Sequence, residues 1–324
     1  MKKVTILIPE SSVIQSIADP QYLFSAVNQF LQQSNAKPQF TVELAGLKKE
    51  VIMPGGNFIV RPDRLIDEIH HTDVIIIPAL FGNMKEAVAL NKAFLPWIQK
   101  MHDKGSEIVS LCVGAFLLAA TGLLNGKKCS THWSFRNQFQ ELYPEVLLTS
   151  GSIVTEEHRI YSSGGAHSYW NLLLLLVEKY TNHSMAVLVS KYFAIDFDRK
   201  SQLTFAIFNG QKNHADEAIL KAQNIIESTI PEKVSVDSLA DKVSVGRRSF
   251  ERRFKKATQN TVLEYIQRVR IEAAKRSFES SDKNIFEVMT DVGYSDSKAF
   301  RSTFKKLTGL TPVAYRKKYS KKLL

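Results

Sequence analysis

Only two cysteines, Cys112 and Cys129, occur in 324 residues. Two thiols cannot build the disulfide framework of a secreted domain, and neither sits in a Cys/His spacing that suits a metal. A reducing compartment, with no metal and no cofactor, is therefore expected. Long apolar runs are missing too: none reaches the ~18 residues of a membrane span. The opening MKKVTILIPE is interrupted by Pro9 and Glu10 before a signal-peptide core could form. Both absences predict a cytoplasmic protein that does not touch a membrane. Disorder is excluded by what is present, since 44% hydrophobic residues supply enough apolar surface for packed cores, and this length suits about two domains. An acidic surplus is absent as well, and the excess of base is uneven. Residues 1–215 carry 20 Lys and Arg against 18 Asp and Glu, whereas residues 216–324 carry 23 against 14, a net of +9 out of +11.

The first two thirds alternate short β-branched runs with helical stretches. Val4–Pro9, Phe40–Leu44, Asp73–Pro78 and Glu107–Leu111 read as strands, and their continuous apolar character predicts a parallel sheet buried on both faces. Helices are expected at about 20–34, 62–71, 84–103 and 114–123, with another over Leu172–Val177 behind the Gly164-Gly165 turn and one more at Ser184–Phe193. This order predicts a three-layer, flavodoxin-like α/β domain.

One junction carries chemical interest. Ser110-Leu111-Cys112-Val113-Gly114-Ala115 places a cysteine between a buried strand and a helix, with small residues behind it. That is the layout of a nucleophile elbow, and a helix N-terminus would lower the thiol pKa. His132 is the candidate base. The plainer alternative keeps Cys112 as a small buried apolar residue and His132 as a satisfied core or cap residue.

These segments resemble the PfpI-like branch of the class I glutamine amidotransferase-like fold. Ser110–Trp133 (SLCVGAFLLAATGLLNGKKCSTHW) and Tyr161–Tyr180 (YSSGGAHSYWNLLLLLVEKY) are similar to the matching stretches of GlxA-type regulators. The departures concern catalysis. Enzymes of the superfamily set an acid four residues before a proline of the first helix, and that position here is Ser16. Where the family has Pro-Gly-Gly, this chain has Pro78-Ala79-Leu80, which weakens an oxyanion hole. No His-x-Glu pair follows the cysteine. The resemblance thus implies a non-enzymatic pocket for a small effector, with Leu80, Cys112, Val113, His132, Trp133, Gly165 and Trp170 as candidate lining. Either tryptophan could equally be core. A thiol-dependent hydrolase or lyase, or a redox sensor using Cys112, is the alternative.

The last third repeats itself at an offset of 50 residues. Ser249–Thr261 (SFERRFKKATQNT) aligns with Ala299–Thr311 (AFRSTFKKLTGLT), and six of the thirteen positions are identical. Each copy reads as helix, short turn, helix. Val236–Val243 with Ser235 as N-cap is followed by a helix to Ala257. A helix capped by Asn284 and Glu287 precedes a second at Asp296–Leu307. Phenylalanines four apart bury one face of each second helix and turn Arg248, Glu251, Arg252 and Lys255, or Ser297, Lys298, Arg301 and Lys305, outward. The plainer alternative is a solvated charged face, but duplication and net charge favour nucleic acid. The central helix, about Asn260–Ser277, can join the two units rigidly, so that the second helices enter successive major grooves about 34 Å apart.

Asp291-Val292-Gly293-Tyr294-Ser295-Asp296, Phe300, Phe304-Lys305-Lys306, Gly309, Thr311-Pro312 and Tyr315-Arg316 strongly resemble the AraC-type DNA-binding domain. By position in that family, Arg248 and Arg252 would read bases from the first unit, and Ser297, Lys298 and Ser302 would face bases in the second. Arg247, Lys255, Arg301 and Lys305 would meet phosphates. The terminal YRKKYSKKLL would add nonspecific affinity as a frayed tail. The expected organisation is an effector-sensing and dimerisation domain at 1–205, a linker at 206–220 and a DNA-binding domain at 221–324. Such an order resembles GlxA-like transcriptional regulators. It implies promoter DNA, RNA polymerase and a small nitrogenous metabolite as partners of a homodimer.

Overall fold

A computed structural model describes residues 1–149, 151–197, 201–232 and 234–320. The chain divides into two compact units at Gln202/Leu203. In the first, chain order runs β1 (Lys2–Ile8), α1 (Gln15–Gln33), β2 (Phe40–Gly46), β3 (Val51–Ile52), β4 (Ile59–Val60), β5 (Arg64–Leu65), β6 (Val74–Ile77), α2 (Met84–Leu90), α3 (Phe94–Asp103), β7 (Glu107–Ser110) and α4 (Ala115–Ala120). It continues through β8 (Lys128–Cys129), α5 (Arg136–Leu142), β9 (Leu147–Leu148), β10 (Val154–Glu157), β11 (Ile160–Ser163), α6 (Tyr169–Tyr180) and α7 (His183–Tyr192).

Seven strands form one sheet in the order β10-β11-β7-β6-β1-β2-β5, with every neighbouring pair parallel except β10 with β11. The sheet is therefore mixed, where a parallel one is expected from the apolar runs. Its two faces follow the period of two along each strand. Val4, Ile6, Ile8, Val74 and Ile76 pack with Leu23, Phe24, Val27, Leu172 and Val189 of α1, α6 and α7. Leu7, Ile75, Ile77 and Ile108 pack with Phe94, Ile98, Phe116 and Phe139 of α3, α4 and α5. Three layers result.

Three helix expectations are corrected. Residues 62–71 form no α-helix, but edge strand β5 and a single 3-10 turn, Ile66–Glu68. Asp63 is the cause, because its Oδ2 accepts from the Leu44 amide at 2.7 Å and its own amide donates to the Leu44 carbonyl. The stretch 84–103 is two helices, divided where buried Asn91 exchanges hydrogen bonds with the Glu10 backbone at 2.7 and 2.8 Å. Helix α1 starts at Gln15, so Pro20 lies inside it rather than at its entry.

The second unit is helical: α8 (Glu217–Ser228), α9 (Val236–Lys242), α10 (Arg247–Thr258), α11 (Val262–Ser280), α12 (Ile285–Asp291), α13 (Ser297–Thr308) and α14 (Pro312–Tyr319). Ser235 caps α9, and Asn284 with Glu287 forms the capping box of α12. The duplication extends to atoms. Phe250 and Phe254, like Phe300 and Phe304, are fully buried. Thr258 and Thr308 each donate to the carbonyl four residues earlier at 2.8 Å. Gln259 and Gly309 then close their helices in the left-handed region. Ile219, Ala222 and Ile226 of α8 serve one core as Ile271, Ala274 and Phe278 of α11 serve the other. Tyr265 donates to Glu227 as Tyr315 does to Glu279. The second copy thus begins inside α11, which contributes to both cores.

The segment expected as a linker, 206–220, holds to this unit from its first residue. Lys275 Nζ donates to the Ala206 carbonyl at 2.7 Å and pairs with Glu272 at 2.8 Å, and Glu272 Oε2 also accepts from the Phe208 amide at 3.1 Å. The Phe208 ring meets Tyr265 edge-on at 5.2 Å, and α8 starts within the segment. Of the expected basic tail, residues 321–324 lie outside the described residues. No described helix is long and apolar enough to cross a membrane.

Candidate functional sites

At the end of β7 the chain turns sharply. Cys112 has φ 55° and opens a 3-10 turn, Cys112–Gly114, that runs into α4. A Cβ on Gly114 would lie 2.5 Å from the Pro78 carbonyl oxygen and 2.7 Å from that of Ile77, so only glycine lets the elbow approach the end of β6. Burial pushes the Cys112 thiol up to about 11, outweighing the Ala166 and Val113 amides that hydrogen-bond its sulfur. The expected lowering by a helix N-terminus is therefore corrected: Cys112 is only 7% exposed and no described cation acts on its sulfur.

The Ser16 hydroxyl and the Ala79 and Cys112 amides are already engaged. Ser16, at the position of the expected acid, donates Oγ to the Val13 carbonyl at 2.6 Å and accepts from the Ala79 amide at 2.9 Å. The Cys112 amide donates to Ser163 Oγ at 3.1 Å. His132 Nδ1 accepts from the Ser134 amide at 3.1 Å, with Ser134 Oγ 2.8 Å away. Burial holds the His132 pKa below its ordinary value. A neutral ring whose Nδ1 accepts a backbone N–H carries its proton on Nε2, so that nitrogen is a donor rather than a base.

Around these groups lies a cavity of about 480 Å³. The loop after β1 contributes Val13 and the first turn of α1 Gln15 and Ser16, while the loop after β6 contributes Ala79, Leu80, Phe81 and Gly82. Cys112 and Val113 follow β7, Ala166, His167 and Tyr169 follow β11, and Met84, His132 and Phe135 complete the wall. The sheet order reverses between β1 and β6, and the carboxyl ends of strands at such a switch point are where open α/β sheets bind ligands. Among the described residues, no aspartate, glutamate, lysine or arginine lines the cavity. Tyr169 donates its hydroxyl to Asp19 Oδ2 at 2.5 Å.

In the helical unit, α10 exposes Arg247, Arg248, Glu251, Arg252 and Lys255, and α13 exposes Ser297, Lys298, Arg301, Ser302 and Lys305. Buried phenylalanines hold both helices from behind. Arg253 is occupied elsewhere, gripping Asp216 with two bonds of 2.9 and 2.6 Å at the start of α8 and lowering that carboxyl's pKa. Arg270 donates to the carbonyls of Ile230, Gly293 and Glu232, tying the turn of the second motif to the segment before the first. Arg247 lies 3.0 Å from both Asp237 oxygens and 3.8 Å from Glu251. On α13, by contrast, Lys298, Arg301 and Lys305 have no carboxylate partner among the described residues.

Comparison with known proteins agrees with both halves. Residues 22–179 match the DJ-1/PfpI family and residues 239–318 match a helix-turn-helix domain. The chain joins a DJ-1/PfpI-like domain to a DNA-binding helix-turn-helix domain, as in GlxA-type regulators. It is 26% identical over 216 residues to the HTH-type transcriptional regulator ArgR of Pseudomonas aeruginosa, covering 66% of this chain and 65% of that protein. With GbdR of the same species it shares 25% over 256 residues, 78% of this chain and 68% of that one. With GlxA of Rhizobium meliloti it shares 23% over 224 residues, 68% of each. Among solved structures, a protein described as a transcriptional regulator from Vibrio parahaemolyticus superposes with TM-score 0.53 at 26% identity, covering 59% of this chain and 98% of that one.

Within the DJ-1/PfpI-like domain, four residues expected at the pocket line it: Leu80, Cys112, Val113 and His132. Three do not. Trp170 is core, packed on Phe193 at 4.8 Å, because it follows Tyr169 on α6 and so faces a different side of the helix. Trp133 flanks His132 at 5.3 Å without reaching the cavity. Gly165 lies under the His132 ring, where a Cβ would come within 2.3 Å of Cδ2. Sequence reasoning missed Val13, Gln15, Phe81, Met84, Phe135, Ala166, His167 and Tyr169, and Gly82 beside Phe81. The strand-end rule, applied to β1 and β6, would have found the first three.

Proposed function

We propose that this protein is a ligand-responsive transcriptional regulator in which α10 and α13 read double-stranded promoter DNA. Arg248 and Arg252 on α10, and Ser297, Lys298 and Ser302 on α13, face base edges. Arg301, Lys305 and Lys255 meet phosphates. Arg247 supports α10 through Asp237 and has to leave that pair to reach a phosphate. The observation that carries this reading is the duplicated, outward-facing basic surface, opposite two pairs of buried phenylalanines. The DJ-1/PfpI-like domain holds a small effector in the cavity beside Cys112 and His132 rather than transforming it, since the thiol is protonated, His132 is a donor and the Ala79 amide is taken by Ser16. The protein acts in the cytoplasm as a homodimer assembled through this domain, and it meets RNA polymerase at the promoter. Effector control requires that the ligand bind two arrangements of the protein with unequal affinity.

Fluorescence anisotropy on duplexes recovered by in vitro selection tests the reading. A specific complex, weakening steeply with salt, is expected. Arg252→Ala should cost about 1 to 3 kcal/mol and relax preference at one base position. Turnover of amide or aldehyde substrates that disappears in Cys112→Ser would instead support a thiol enzyme.

A further inference from the structure

The cavity's wall also narrows the chemistry of its ligand, on the reading that it holds an effector. A charged ligand entering a site loses hydration that only opposite charge and hydrogen bonds can replace. Among the described residues no Asp, Glu, Lys or Arg side chain lines this cavity; His167 lies at its exposed edge, and the rest of the surface is dominated by Val13, Leu80, Phe81, Met84, Phe135 and Tyr169. Asp19, which touches Tyr169, does not line it and spends Oδ2 on that hydroxyl. One polar group is fixed in kind. Because the Ser134 amide claims His132 Nδ1, the Nε2–H must be a donor, and no described residue accepts from it. Largely apolar walls with a preset donor on His132, and no carboxylate, ammonium or guanidinium among the described lining residues, suit an uncharged molecule carrying a carbonyl oxygen.

The geometry points to a neutral, largely apolar carbonyl compound, a ketone, amide, ester or lactone, as the effector class, with its oxygen on His132 Nε2 and its hydrocarbon against Leu80, Phe81 and Phe135. Amines, amino acids and free carboxylates are disfavoured by the same wall. This departs from the nitrogenous metabolite implied by the sequence resemblance, unless that metabolite is an uncharged amide.

Four probes on one aryl frame test it with the full-length protein: acetophenone, ethylbenzene, phenylacetate and phenethylamine, titrated by ligand-observed NMR. Acetophenone should bind tightest, with ethylbenzene about 3- to 10-fold weaker for want of the hydrogen bond. His132→Phe, checked for folding by its melting temperature, should erase that difference while keeping hydrocarbon affinity. Gln15→Glu provides a second variant at an exposed lining position, and its new carboxylate should raise phenethylamine affinity about five-fold. Tighter binding of phenethylamine or phenylacetate by the unaltered protein would overturn the inference and leave the effector reading in place. So would an acetophenone preference that survives His132→Phe, or no binding by any probe. Failure of the same preparation to bind DNA would count against the regulator reading alone.

Discussion

Removing Lys275 should damage the helical unit far more than its place on an amphipathic helix suggests. The Lys275 and Glu272 side chains are only 5% and 9% exposed, and they meet at 2.8 Å. Lys275→Met leaves a buried carboxylate with the Phe208 amide as its remaining donor among the described residues. Breaking a buried pair from one side costs about 3 to 5 kcal/mol. The lost bond to the Ala206 carbonyl falls on a half-exposed residue that water can reach, so it adds little. Glu272→Gln/Lys275→Met removes both charges, retains an acceptor for Phe208, and should recover most of the loss. Urea unfolding of the full chain can separate the units, because Trp97, Trp133 and Trp170 all lie in the first. Tryptophan fluorescence therefore follows the α/β unit, and far-UV circular dichroism weights the helical one. At a slope of about 1 to 2 kcal/mol per molar urea, Lys275→Met should lower the helical midpoint by about 1.5 M or more, with fluorescence little changed. A shift below about 0.5 M, or a double variant no better than the single one, would refute the reasoning.

Further expectations concern the elbow and its histidine. Gly114→Ala should fail to fold or lose more than about 2 kcal/mol, because its methyl must displace backbone carbonyls rather than a side chain; a wild-type melting curve would contradict this. Cys112, with its pKa near 11, should hold only about a thousandth of its thiol as thiolate at pH 8 and alkylate slowly, accelerating as pH rises. Rapid labelling by iodoacetamide at pH 7 would contradict that and favour a redox role. His132 has a lowered native pKa, so below its unfolded pKa near 6.5 the unfolded state binds the proton first. Stability should then fall as pH drops from 6.5 through the native value, with a smaller fall in His132→Gln. Equal pH profiles of the two melting temperatures would contradict the assignment.

The repeat was legible because it is written in identities. Phe250, Phe254, Lys255, Lys256, Thr258 and Thr261 recur 50 residues later, and aromatic rings four apart define a buried face without any knowledge of the fold. The half of the repeat shared by α8 and α11 was not, since Ile219 against Ile271 and Ala222 against Ala274 match at an offset of 52 and only packing reveals their equivalence. In the α/β unit, runs such as Val74–Ile77 announced central strands. Val154–Glu157 did not, because an edge strand with mixed exposure lacks a continuous apolar signal. Residues 62–71 read as a helix by local pattern, but Asp63 is claimed by β2, a contact that exists only in three dimensions. The cavity was half legible for a related reason. Cys112 and His132 carry chemistry that shows in sequence, whereas a tryptophan beside a pocket and one beneath it look alike.

The central claim is that α10 and α13 together read one duplex, and hydroxyl-radical footprinting on a selected operator tests it most directly. Two protected patches about one helical turn apart on the same face are predicted, with Arg252→Ala weakening one and Lys298→Ala the other. A single patch, or two patches that both variants leave intact, would contradict it.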